Sequence, residues 1–111
     1  MTAAAIDLAT YQQLQDTAGA EFVVDLVATF LEEAPAMLAE LRAAGAAADA
    51  DRFRRAAHSL KSNSQTFGAT TLGTLARQLE LGGPAAGVDR LDALEAEYRR
   101  VAAALESLCH G

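Results

Sequence analysis

Apolar residues recur at steps of three and four along most of this chain, in stretches broken by glycine, proline and short alanine-rich joints. Such spacing marks amphipathic helices that turn one face to a core. Asp7 stands as an N-cap before Leu8, Tyr11 and Leu14, which predicts a short first helix ended by Gly19. From about Ala20 to Ala44, Val23, Leu26, Val27, Phe30, Met37, Leu38 and Leu41 keep one stripe across Pro35. The stripe resumes in phase beyond the proline, so one long helix kinked there is expected, not two. The alanine-rich segment around Gly45 reads as a connection, and Asp49 or Asp51 as the cap of a third helix running to Phe67, stopped by Gly68. Leu72, Leu75, Ala76 and Leu79 predict a fourth helix, with Gly82, Gly83 and Pro84 as the next loop. Leu91, Leu94, Tyr98, Val101, Leu105 and Leu108 form the seam of a last helix. The expected fold is all-α: an antiparallel up-down four-helix bundle with a short additional N-terminal helix.

Composition narrows this further. Alanine occupies 27 positions and leucine 15, against six for valine and isoleucine together, so the apolar half consists of helix formers. The 111 residues suit a single domain over 1–111. No apolar run is long enough for a membrane span and no secretory signal opens the chain, so a soluble, cytoplasmic protein is expected. The initial Met and short length favour a free-standing protein. Cys109 has no second cysteine to pair with. Cys109 and His110, adjacent near the end, read as a frayed tail and not as a metal site. A net charge of −6 argues against nucleic-acid binding, which needs a basic face.

That average hides a local reversal on the third helix. At about 100° per residue, Phe53, Ala56, Ala57, Leu60, Ser64 and Phe67 fall in one sector and define the core face. His58 lies about 160° from Leu60 and must face water, with Arg54 and Arg55 one turn before it and Lys61 and Ser62 one turn after. Arg52, Arg54, Arg55 and Lys61 fall within ten consecutive positions without an intervening carboxylate. Neighbouring cations disfavour a charged ring, so the imidazole is expected to keep a nucleophilic nitrogen, and the same cations attract phosphate. Taken by itself, one exposed histidine on a polar helix face is most often just solvated.

The run Ala57-His58-Ser59-Leu60-Lys61-Ser62-Asn63-Ser64-Gln65-Thr66-Phe67-Gly68-Ala69 changes that weighting. It resembles the signature of histidine-containing phosphotransfer (Hpt) domains: His, Leu two later, Lys three later, a small residue four later, and Gly-Ala at ten and eleven. Leu72, Leu75, Leu79 and Glu80 resemble that family's fourth helix, and Phe30-Leu31-Glu32-Glu33-Ala34-Pro35 its second, so the likeness runs from about Leu8 to Leu108. The resemblance implies a phosphorelay intermediate of two-component signalling. His58 would accept a phosphoryl group from a receiver-domain phosphoaspartate, or from a histidine kinase pathway, and pass it to another receiver. It implies Lys61 as the residue that steadies the phosphoryl group, and receiver docking beside the histidine, with Ser62, Gln65, Arg54 and Arg55 as candidates. Ser62 departs from the glycine most common there and adds a hydroxymethyl group near the ring. The implied partners are response-regulator receivers or a hybrid histidine kinase. No cofactor is expected on this chain, Mg²⁺ belonging to the receiver, and a monomer suffices.

Two other classes compete with the relay. A helical adaptor that binds a signalling partner without phosphorylation needs only the apolar stripes. An enzyme using His58 as a general base would need a nucleophile, yet Ser59 lies about 100° away on the helix and Cys109 near the chain end. No nucleotide-binding GxxxxGK[ST] loop is present, and no carboxylate cluster is expected on the face of His58. The reading is therefore a phosphotransfer module and not an enzyme.

Overall fold

Short joints, most of them built on residues that tolerate unusual backbone angles, divide the chain into helices. The computed structural model describes residues 5–110, and its regular elements are all helical. Five α-helices, α1 (Leu8–Ala18), α2 (Ala20–Ala46), α3 (Ala50–Phe67), α4 (Thr70–Gly82) and α5 (Val88–His110), are joined by short connections, with a 3₁₀ turn at Gly83–Ala86. Met1 and Gly111, the ends of the expected 1–111 domain, and the side chain of His110 lie outside the described residues. Among the described residues no helix is long and apolar enough to cross a membrane.

The end of α3 shows how sequence dictates a stop. Gly68 adopts the left-handed conformation (φ 80°), its N–H donates to the carbonyl of Gln65, and the N–H of Ala69 donates to that of Ser64 at 2.8 Å. This Schellman arrangement satisfies carbonyls that the helix leaves open. The same glycine receives the start of α1: the Asp7 N–H donates to the Gly68 carbonyl at 2.8 Å, and a Cβ on Gly68 would stand 2.8 Å from the Asp7 carbonyl oxygen. At its other end α3 is capped by Asp49, whose side chain accepts from the Arg52 N–H at 3.1 Å, while Asp51 sits in the first turn. Asp7 does take the N-cap position of α1, but its carboxylate accepts from the Thr10 hydroxyl at 2.6 Å and not from a backbone N–H.

The expected stripes meet in one core. Val23, Val27, Phe30 and Leu41 from α2 are buried, as are Leu72 and Leu79 from α4 and Leu94 and Leu105 from α5. Phe30 packs its ring 5.4 Å from Phe67 and edge-on to Tyr98 at 6.0 Å, tying α2 to α3 and α5. α3 packs most extensively against α4 and α2, while α5 packs on α2 and α4, and α1 on α2 and α3. Arg42 of α2 clasps Asp92 and Glu95 of α5 at 2.7 and 2.6 Å, and Arg52 of α3 reaches Glu40 of α2 at 2.7 Å.

Three expectations need correction. The connection after α2 lies at 47–49, not around Gly45, which stays helical; a Cβ there would meet Phe53 at no closer than 3.6 Å. The 82–84 loop is partly helical, Gly82 ending α4 and Pro84 lying within the 3₁₀ turn. Cys109 is no frayed tail: α5 continues through it, its side chain is half-buried, and its sulfur lies 3.9 Å from the hydroxyl of buried Tyr11. Burial, together with this contact, pushes the Tyr11 phenol up to about 12. α2 does run unbroken through Pro35 as one helix.

Candidate functional site

The residues that α3 buries are Phe53, Ala56, Ala57, Leu60, Ser64 and Phe67, the six expected from the helical sector. With that face fixed against the core, His58 projects outward and is 56% exposed. Ser62 and Gln65, on the same side, are exposed as well.

The neighbouring helix supplies the group that organises this face. Glu80 of α4, only 15% exposed, accepts from His58 Nδ1 through Oε2 at 2.7 Å and from Lys61 Nζ through Oε1 at 2.8 Å. One carboxylate therefore engages both residues of the His-Lys pair, one oxygen to each. The Lys61 hydrogen bond, and secondarily that of His58, hold the Glu80 carboxyl below the usual carboxylate range, against the opposing effect of burial. An ionised carboxylate only accepts, so Nδ1 carries the hydrogen and, in a neutral ring, Nε2 keeps the lone pair. Among the described residues, Nε2 has no partner. The arrangement fixes one ring nitrogen and presents the other to solvent.

This corrects the expected surroundings of the histidine. Arg54 and Arg55 are exposed and both turn to Asp51, each at 3.0 Å, so they belong to an ion cluster one to two turns away. Arg52 points to Glu40. The charge in contact with the ring is the anion Glu80, and Lys61 reaches the site through it. No cluster of carboxylates was expected on the face of His58; the single carboxylate that engages the ring arrives from α4, which the pattern of α3 alone does not reveal. Its signal was available: Glu80 lies four residues after buried Ala76 and next to buried Leu79, at the edge of the apolar stripe. Knowing which residue of α3 it meets required the packing of the two helices.

Among the described residues no group of three or more His, Cys, Asp and Glu side chains converges as a metal cage would require. No curated protein and no solved structure matches the chain. The family model of the Hpt domain matches residues 25–108, which include α3, α4, His58, Lys61 and Glu80. Domains of this kind interact with receiver domains and histidine kinases. With a match over most of its length, the chain belongs to the Hpt domain family, the phosphotransfer modules of two-component phosphorelays.

Proposed function

We propose that His58 is the phosphoacceptor of a relay between receiver domains, with Glu80 and Lys61 as its working partners. The observation that carries this reading is the carboxylate shared by the two, 2.7 Å from His58 and 2.8 Å from Lys61. Glu80 holds the proton on Nδ1, so the Nε2 lone pair attacks the phosphorus of an aspartyl phosphate in line with the bond to the carboxylate oxygen. The phosphorus–nitrogen bond forms, that phosphorus–oxygen bond breaks, and the receiver keeps its freed carboxylate. Transfer to the next receiver runs the same exchange in reverse.

The phosphoryl group brings about two negative charges beside Glu80. Lys61 answers this by moving its ammonium from Oε1 to a phosphoryl oxygen, while Glu80 stays on Nδ1–H, which becomes a better donor once the ring is phosphorylated. The Ser62 hydroxyl, one turn from the histidine, is a second donor in reach of the group. Mg²⁺ and the acceptor aspartate come from the receiver. The chain acts in the cytoplasm as a single monomeric domain, its short connections favouring an up-down antiparallel course for α2 to α5.

Mixing the protein with a labelled phosphorylated receiver tests the reading. Acid-labile, alkali-stable label on the wild type and none on His58→Gln is the expected result. Label retained by His58→Gln, or no label from any receiver tried, rejects it, and the second outcome favours an adaptor.

A further inference from the structure

A groove of about 190 Å³ opens beside Gln65, where α3, α4 and the start of α1 converge, and the side chains of Thr10, Thr70, Thr74 and Arg77 line it. Its position follows from helix geometry. Gln65 is seven residues from His58 on the same side of α3, about 10 Å along the axis, and Arg77 is three residues from Glu80 on α4, about 4.5 Å. A standard interface of about 800 Å² per partner is a disc of about 16 Å radius, and centred on His58 it covers both residues.

The cations of this face differ in availability. Arg54 and Arg55 are held by Asp51, and Lys61 by Glu80. Arg77 is exposed and has no acidic partner among the described residues. The chain carries a net charge of −6. A receiver holds Mg²⁺ beside its aspartate through one or two carboxylates, so the surface that meets His58 carries acidic side chains, and an uncommitted cation beside it offers them a complementary charge. Arg77 offers a charged, forked donor, and the Gln65 amide and the threonine hydroxyls beside it add neutral hydrogen-bonding groups.

We infer that this groove extends the receiver footprint and that Arg77 takes a carboxylate side chain of the receiver's docking surface, setting which receivers dock productively. The inference rests on the phosphotransfer reading above. Arg77 is a docking residue and lies away from the reacting atoms.

The test separates docking from chemistry by labelling His58 with phosphoramidate, a small donor that needs no docking surface. Transfer is then timed to a receiver that takes label from the wild type, at low and high salt. Arg77→Glu should label like the wild type, yet pass its phosphoryl group about tenfold more slowly at low salt, with the gap narrowing as salt rises. Arg90→Glu makes the same charge change on an exposed residue at the start of α5 and should transfer at close to the wild-type rate. Equal rates for Arg77→Glu and Arg90→Glu, with labelling intact, would overturn the groove while leaving His58 in its role. Failure of the wild type to label at His58 would remove the phosphotransfer reading and the groove with it.

Discussion

Glu80 makes two hydrogen bonds that different substitutions can pull apart. Glu80→Gln keeps an oxygen for Nδ1–H but loses the charge that draws Lys61, whereas Glu80→Ala removes both contacts. Timed with a fixed phosphorylated receiver, acceptance by His58 should slow modestly in Glu80→Gln and roughly tenfold or more in Glu80→Ala. Equal rates in the two variants would show that ring orientation is not what Glu80 supplies. Lys61→Ala should shorten the lifetime of phosphorylated His58 without unfolding the protein, since Lys61 lies off the buried face of α3; the decay of label in isolated phosphoprotein reads this directly. Ser62→Gly tests the extra hydroxymethyl group. A much faster transfer from the glycine variant would identify the serine as an obstruction to docking and not as a donor. His58 was legible because the core face of its own helix fixes where it points. Glu80 was not assigned a role because its part depends on which turn of α4 faces which turn of α3, and no periodicity within one helix records that.

Among the helices, α3 was the most readable, since its sector of apolar residues, its aspartate cap and its glycine stop agree with one another. The ends of α2 and α5 were less so. Alanine-rich segments carry no polar interruption, and Gly45 stays in the helix beside Phe53 because backbone hydrogen bonding and packing outweigh its weak propensity. Gly68 joins two jobs, the left-handed stop of α3 and the close approach of α1. Gly68→Ala should therefore cost more than a left-handed alanine alone, about 2–3 kcal/mol in urea denaturation, because its Cβ would also press on the Asp7 carbonyl and Thr10. On α5, Glu97 is 7% exposed; Oε1 accepts from Arg100 at 2.8 Å, but buried Oε2 has no hydrogen-bond partner among the described residues. Glu97→Met should raise stability by about 1 kcal/mol, because it exchanges an unsatisfied acceptor for apolar packing. A lower melting temperature in that variant would mean the carboxylate is better solvated than its burial indicates.

Across the molecule, charge pairing between helices links stability to pH. Glu40, Glu80 and Glu95 are each held below their ordinary value of 4.5, chiefly by hydrogen bonds from Arg52, Lys61 and Arg42 respectively. A depressed folded-state value means that the contribution is fully present above 4.5 and is lost as pH falls through the folded values. The urea midpoint should therefore drop between neutral pH and pH about 3. Arg42→Ala should narrow that drop by releasing Glu95 from its pairing with α2, and an unchanged drop would exclude this pair as a contributor. The helical class, the single core and the outward histidine could all be inferred from the chain of residues; the cross-helix clasps could not, because they join positions 12 to 53 residues apart on different helices. The bond between the Asp7 N–H and the Gly68 carbonyl has a practical consequence. It brings the start of the first helix to within about 15 Å, ten residues of helical rise, of the phosphoacceptor. A receiver fused upstream through a flexible tether would be confined near His58 at an effective concentration of about a millimolar, turning a bimolecular exchange into an intramolecular one.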